Sequence, residues 1–509
     1  MKGRTARALM VQGTGSGAGK SLVVAGLCRI FRDEGVKVAP FKAQNMALNS
    51  YVTSDGGEMG RAQVLQAEGA RIEPTIDMNP VLLKASGDMG SQVIIHGRPY
   101  RHMSAKEYYG YREKAWEAVT ESYARLSKAY DLILMEGAGS PAEINLMDVD
   151  IVNMASARLA RAPVLLVGDI DKGGVFASLY GTVKLLGQDA RRIKGFIVNK
   201  FRGDVALLDP GLKMIEALTG RPVIGVLPYV ADMGLPEEDS LALRNGAHAR
   251  GDGTLRVVVV RIPYISNFTD FDPFSCEPDV QLVYSTNAAD IENADLLVLP
   301  GSKNTVKDLL FLKERAVDRS IRRAAERGVR IAAICGGYQM AGRRICDPDH
   351  VESDQDEIEG LGLLDIETVF GQTKTTCQAE GRIVNGPFGI APSEAGRLKG
   401  YEIHMGESTG DIGLFEIRRL SAPAGSKGGG GPLPDGSQKG TCFGTYLHGI
   451  FENDAFRRSL LNRLREQKGL APLDAVVSYD RLKDEALDRL AALLREHLDM
   501  PFIRRVIGR

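Results

Sequence analysis

Twice along this chain, short runs of buried-type residues alternate with longer amphipathic stretches, and that alternation leaves few folds open. The first series runs from Ala6 to about Pro228 and reads ALMVQG, VKVAPF, SQVIIHG, YDLILMEG, APVLLVGD, IKGFIVN and RPVIGVLP. Such runs are too continuous for strands with one wet face, so they read as strands covered on both sides. Helical segments at Ser21–Arg32, Ala105–Lys128 and Gly173–Leu186 lie between them. Strand–helix–strand repetition predicts a parallel sheet with helices on both faces. A second series, LRVVVVRIP, DVQLVYS, ADLLVLPGS and VRIAAICGG, has its own intervening helix over Val306–Arg327. The expected fold class is therefore α/β, with two doubly wound domains in tandem.

Between the two series, the stretch from about Ala231 to Thr254 is rich in Gly, Asp, Glu and Arg and reads as a linker. This assigns residues 1–235 to the first domain, 236–253 to the linker, and 254–509 to the second domain with its C-terminal helices. Two terminal helices, near Asp454–Gln467 and Tyr479–Leu498, put Leu487, Leu490, Leu494 and Leu498 on one face, a pattern that predicts docking onto the body. The Gly-, Pro- and Ser-rich segment Leu420–Gly440 reads as a mobile loop.

Composition narrows the function classes. The 509 residues carry 64 Lys and Arg against 65 Asp and Glu, so no bulk charge draws the chain to nucleic acid or a membrane. The apolar run Ala8–Val11 is too short for a signal peptide, and no stretch is long enough to span a bilayer. The six cysteines (Cys28, Cys276, Cys335, Cys346, Cys377 and Cys442) are scattered without a C-x-x-C pair, which fits neither a disulfide framework nor a zinc site. A soluble protein of the reducing cytoplasm is expected.

The segment Gly13–Ser21, GTGSGAGKS, follows an apolar run and opens a helix. In that context backbone N–H groups of a glycine-rich loop cradle phosphates, the lysine reaches the outer phosphates, and the serine holds Mg²⁺. Thr14, Gly15, Gly17, Gly19, Lys20 and Ser21 are the expected ATP-binding residues. Thr14 stands where the usual pattern has glycine, but strand, loop, G-K-S and helix are all in place. Glu136, ending the strand in MEGAGS, lies where ligands of parallel sheets collect and is expected beside the metal with Ser21. Asp55 in TSDGGEMGRAQ is a further metal candidate, and Asn199, ending the run IKGFIVN, is expected to read a purine.

In the second domain VRIAAICGGYQMAG carries Cys335 on a strand-to-helix elbow with small neighbours. Such a turn exposes a nucleophile above the sheet, and the helix N-terminus favours thiolate. The N–H of Gly336 is placed to hold an oxyanion, and a second donor is expected from Gly301 in PGSKNT. A thiolate needs a base, and His448 in GTYLHGIF follows a strand late in the same domain. His404, in GYEIHMGES, is expected to be structural or to line the pocket. The other five cysteines are expected to be inert.

At Cys335 and His448 the second half resembles the class I glutamine amidotransferases. Many members carry Glu two residues after the histidine. Here that position is Ile450, and Glu452 is the nearest acid. In this respect the chain is similar to the cobyrinate-amidating branch, where the pair acts without that Glu. The first half resembles the dethiobiotin synthetase-like ATP-binding fold, which implies a P-loop NTPase-like sheet and Mg²⁺ contacts from Ser21, Asp55 and Glu136. The second half would then be flavodoxin-like. With PFKAQNMALNS, DGGEMGRAQ, GDIDKGGVFAS and LPGSKNT, nearly the whole chain resembles the cobyric acid synthase family. The resemblance implies ATP, Mg²⁺ and glutamine as reactants, and a corrinoid polycarboxylate as acceptor. Its b, d, e and g carboxylates would be amidated through acyl phosphates, taking adenosylcobyrinic acid a,c-diamide to adenosylcobyric acid in cobalamin biosynthesis. Open beside it stand a cobyrinate a,c-diamide synthase or another glutamine-dependent amide ligase, and a non-catalytic P-loop scaffold with a dead amidotransferase domain.

Overall fold

The strand Arg7–Gly13 lies at the centre of a six-stranded parallel sheet in the computed structural model, which describes residues 5–87, 90–104, 107, 110–236, 253–420 and 431–509. In spatial order its strands are Val223–Pro228, Ile193–Phe201, Val164–Asp169, Arg7–Gly13, Leu132–Glu136 and Val38–Phe41. Pro40 sits in the last of these, an edge strand, where a missing N–H costs least. Alternate side chains feed two cores, as the period of two requires. Ala8, Met10, Ile133, Met135 and Leu166 enter one, with Val119 and Leu126 of the helix Arg112–Ala129. Leu9, Val11, Leu134, Leu165 and Val167 enter the other, with Val23, Leu27 and Phe31 of the helix Lys20–Asp33.

The run SQVIIHG, expected in this sheet, lies elsewhere. Gly90–Ile95 pairs antiparallel with Val81–Gly87 and with Arg98–Ser104, in a separate four-stranded sheet edged by Gln44–Met46. A buried apolar run has the same composition in either setting, and the Gly97 turn to the next strand decides.

The second sheet runs Val280–Ser285, Leu255–Val260, Leu296–Leu299, Arg330–Ile334, Cys442–Thr445 and Ser437–Lys439, parallel except for the last strand. The helix expected over Val306–Arg327 is two, Thr305–Glu314 and Val317–Glu326, broken at Ala316 with φ 56°. A mixed sheet beside it is built on the long antiparallel strands Ile366–Ile383 and Leu398–Gly410. Both units are α/β, as expected. Residues 237–252 of the linker and 421–430 of the Gly-rich segment lie outside the described residues; Leu433–Asp435 and Ser437–Lys439, within the segment read as a loop, are strands.

The terminal helices pack on different cores. Asp454–Gln467 packs in the second domain through Leu460, Leu461 and Leu464. Tyr479–His497 and Met500–Val506 cross back and complete the second core of the first domain, with Leu487, Leu490 and Leu494 buried there at about 1.5–3 kcal/mol each. A Cβ on Gly26 would meet Leu494 Cδ1 at 2.4 Å, so the glycine permits this approach. Buried Arg29 pairs with Asp484 and Asp488 and ties the two helices together. No described helix is long and apolar enough to cross a membrane.

The domains meet through the long hairpin of the second. Tyr401 and Ile403 pack on Val52, and Asn267 exchanges hydrogen bonds with the backbone of Ser50 (3.3 and 3.1 Å). Fully buried Glu58 is held by Lys84 at 2.8 Å and, across the interface, by Lys374 at 2.6 Å. Burial raises the Glu58 carboxyl pKa, but Lys374 and then Lys84 outweigh it and hold the group well below the usual carboxylate range. Glu58→Gln leaves two buried ammonium groups without their counter-charge. It is expected to destabilise by about 3–5 kcal/mol, read as a lowered denaturant midpoint. An unchanged midpoint would mean that water reaches the cluster.

Candidate active site

At the carboxyl edge of the first sheet the loop after Arg7–Gly13 turns into the helix Lys20–Asp33 through Gly19, whose φ of 97° only glycine adopts at ease. A Cβ there would also lie 2.1 Å from Asn199 Nδ2. Lys20 Nζ donates to the carbonyls of Gly15 (2.9 Å) and Gly139 (3.2 Å), so its ammonium is folded over the loop. Ser21 Oγ donates to Glu136 Oε1 at 2.9 Å. Glu136 is buried and also accepts from Lys42 (2.8 Å), Gln63 (3.2 Å) and Gln66 (2.5 Å). Lys42, Gln63 and Gln66 are additions to the residues expected here. Their signal in the sequence was faint, since polar residues beside a glycine-rich loop are ordinary surface choices.

Ser21 and Glu136 are thus brought together as expected, and Asp55 is not. Asp55 is exposed, accepts from the hydroxyl of Thr53 and the N–H of Gly57, and closes its own turn. Asn199 lies against the loop as its position suggests, but its polar atoms are engaged. Nδ2 donates to Ala18 O at 2.9 Å, and Oδ1 accepts from Lys200 N at 2.8 Å. Through these bonds it braces the loop before the helix Lys20–Asp33. Among the described residues no three His, Cys, Asp or Glu cluster as a ready metal cage. One carboxylate and one hydroxyl suit Mg²⁺, which takes its remaining ligands from phosphate and water. Lys20, Ser21 and Glu136 line a cleft of about 1590 Å³, which extends past Arg61, Leu83, Met103 and Met147 to Tyr479 and Lys483 of the returning helix. That volume exceeds the usual range of a single small-molecule pocket and can hold two sizeable molecules.

In the second domain Cys335 sits between Arg330–Ile334 and Gly336–Ala341 with φ 51° and ψ −108°, the strained elbow expected, though its side chain is buried and not exposed above the sheet. Its Sγ lies 3.3 Å from Ile403 O. His448 lines the same small cavity as Cys335, and its Nδ1 lies 2.6 Å from Asp270 Oδ2. Asp270 is buried. Its Oδ1 accepts from Gly449 N at 3.2 Å and from the Tyr401 hydroxyl at 3.4 Å. Tyr401 stacks on the imidazole, with centroids 5.4 Å apart. Burial pushes the His448 pKa down, but the Asp270 carboxylate and Cys335 outweigh it and raise it to about 10.

A chain Cys335–His448–Asp270 results, and its third member was missed. Glu452, the nearest acid in sequence, instead pairs with Arg61 of the first domain. Asp270 did leave a signal: it stands among Phe268, Phe271 and Phe274, all buried. An acid that must be buried with them needs a charged or hydrogen-bonding partner. Gly301 and Gly336 flank the pair as expected. A Cβ on Gly301 would lie 3.2 Å from His448 Cε1, and one on Gly336 would lie 2.8 Å from Ser302 N. His404 stacks on Tyr446 at 3.9 Å and lines the small cavity beside Cys335 with Lys303, Gln339 and Glu352. The other five cysteines have no such partner, and burial raises the thiol pKa of each.

Residues 9–241 match a family model described as a CobQ/CobB/MinD/ParA nucleotide binding domain, and residues 256–456 match a CobB/CobQ-like glutamine amidotransferase domain. A protein of Thermodesulfovibrio yellowstonii described as cobyric acid synthase is 48% identical over 99% of this chain and 100% of its own length. One from Streptococcus sanguinis with the same description is 50% identical over 99% of each chain, and one from Citrobacter koseri is 48% identical over 98% of each. Among solved structures, one described as a glutamine amidotransferase matches 42% of this chain and 99% of its own at 14% identity, with a TM-score of 0.30, a likeness too low to carry weight.

Proposed function

The chain belongs to the cobyric acid synthase family, and from that membership we propose that it amidates the b, d, e and g carboxylates of adenosylcobyrinic acid a,c-diamide with ATP and glutamine. It is a glutamine-dependent amide ligase of cobalamin biosynthesis. In this reading residues 1–235 and the last two helices form the synthetase unit, and the chain from residue 254 up to those helices forms the amidase.

Two separate chemistries are needed, because a carboxylate does not react with ammonia unaided. In the large cleft the acceptor carboxylate attacks the γ-phosphorus of ATP and ADP leaves. Lys20, released from its loop carbonyls, neutralises charge on the transferring phosphoryl group, and Thr14, Gly15, Gly17 and Gly19 supply backbone to the phosphates. Ser21 and Glu136 would hold Mg²⁺, which supplies charge neutralisation at the phosphates. Ammonia then displaces phosphate from the acyl phosphate to give the amide. In the second domain Cys335 Sγ attacks the side-chain amide carbon of glutamine, and His448 gives the leaving nitrogen its proton. Water then hydrolyses the thioester to glutamate. The N–H groups of Gly336 and Gly301 hold the oxyanion. The geometry that supports this assignment best is the buried Cys335–His448–Asp270 chain on a strained elbow, in one molecule with a phosphate loop.

The test is mass spectrometry of the corrinoid after incubation with the protein, ATP, Mg²⁺ and glutamine. Stepwise exchange of OH for NH₂, ending after four steps and absent without ATP, is expected. Lys20→Ala is expected to lower the rate about 10²-fold or more with either glutamine or ammonia. An unchanged corrinoid beside hydrolysed glutamine would send the assignment to another carboxylate, and an active Lys20→Ala would remove the nucleotide site from the loop.

A further inference from the structure

Arg61 begins the helix Arg61–Gly69 of the first domain and lines the large cleft with Lys20 and Glu136; its guanidinium lies over Tyr51 of its own domain, yet its side-chain hydrogen bonds are made with the second domain. Nη2 pairs with Glu452 at 2.5 Å, and Nε donates to Thr269 Oγ1 at 3.4 Å. The guanidinium carbon lies 5.9 Å from the ring centroid of Tyr401. Each of these partners belongs to a segment that holds the amidase pair. Thr269 adjoins Asp270. Tyr401 stacks on His448, donates to Asp270, and exchanges backbone hydrogen bonds with His448 at 3.1 and 2.9 Å. Glu452 closes the short helix Ile450–Glu452 that starts after His448 and Gly449. Arginine carries five donors in a fixed fork. Among the described residues Arg61 Nη1 has no hydrogen-bond partner, and the side chain is at the cleft wall.

We propose that Arg61 is a positioning residue of the amidase site, supplied by the synthetase domain, and that it makes glutamine hydrolysis follow occupancy of the cleft. A carboxylate or phosphate in the cleft engages Nη1 and reorients the rigid fork. Because that fork also bonds to Thr269 and Glu452 and lies over Tyr401, the change passes to Asp270 and His448 through these intervening residues. Such coupling requires that the anion contact two arrangements of one side chain differently, and Arg61 borders the cleft while bonding to the segments beside the amidase pair. A cleft acid would thus turn on ammonia release only when there is a carboxylate to consume it. The inference rests on the reading that Cys335 and His448 hydrolyse glutamine.

The experiment measures glutamate release by the full chain, with and without ATP, Mg²⁺ and the corrinoid polycarboxylate. Wild type is expected to accelerate within the about 5- to 150-fold range of coupled sites when the cleft is filled. Glu452→Gln, which breaks the ion pair without altering the cleft wall, is expected to lose most of that acceleration, and Glu452→Asp to regain part. Arg61→Met is expected to lose it as well. Ammonia-driven amidation by the Glu452 variants reports an intact fold and synthetase site. A wild-type rate indifferent to cleft ligands would overturn the proposal, as would Glu452→Gln and Arg61→Met variants that still respond like wild type. Absence of glutamate release from wild type under every condition would overturn the amidase reading itself, and this proposal with it.

Discussion

Cys335→Ala is expected to lower glutamine-driven amidation by at least about 10⁴-fold while ammonia-driven amidation stays within a few-fold of wild type. The asymmetry follows from where the thiol stands. Cys335 is buried in the second sheet's elbow, with His448 and Asp270 around it and Ile403 O against its sulfur. It lines only the small cavity, and the large cleft at Lys20 contains no atom of it. Removing the sulfur removes the one atom that can form the thioester, and alanine fits any space that cysteine filled. The synthetase site is untouched, so ammonia from solution still meets an activated carboxylate. Parallel assays of glutamate release and amide formation, with glutamine or an ammonium salt as donor, make the measurement. Loss of both activities in a folded variant would mean that the two chemistries share a site.

How much of this was legible in the residues depended on whether an element announces itself locally. The glycine-rich loop before Lys20 did, because strand, glycines, lysine and helix are contiguous from Arg7 to Asp33. So did the elbow at Cys335. Features that depend on chain separations were not legible. Asp270 meets His448 across 178 residues, and nothing in either segment names the other. The returning helix Tyr479–His497 showed its apolar face in Leu487, Leu490 and Leu494, but a stripe of leucines specifies burial without specifying a partner. Its address is written in Gly26 and Arg29 on the other helix, whose roles as a gap and a buried cation show only when the two are in contact. Asp55 shows how one local pattern fits two roles. An acid followed by two glycines is as good a turn as it is a ligand, and its bonds to Thr53 and Gly57 take the turn. The buried acid of that segment is Glu58, three residues on, and it serves the domain interface.

Asp270→Asn is expected to cost glutamine hydrolysis about 10³- to 10⁴-fold, the loss seen when the acid of a catalytic triad becomes an amide. The carboxylate accepts on both oxygens: Oδ2 from His448 Nδ1, Oδ1 from Gly449 N and the Tyr401 hydroxyl. An amide can keep only one side of that arrangement. With its oxygen toward Gly449 and Tyr401, its NH₂ faces Nδ1 and drives the proton to Nε2, the wrong tautomer to take one from Cys335. Flipped, it keeps the tautomer but sets NH₂ against two donors. Ammonia-driven amidation should again be spared. A pH series separates this from general damage. Burial favours the neutral ring, yet Asp270 and Cys335 raise the His448 pKa from 6.5 to about 10. A raised pKa stabilises the fold fully below the unfolded value and ceases to do so as pH rises through the folded one. The gap in thermal midpoint between wild type and Asp270→Asn should therefore be widest near pH 6.5 and below, and should close toward pH 10. A gap independent of pH would show that Asp270 does not hold His448 in its charged form, and the loss of rate would then have to come from tautomer and orientation alone.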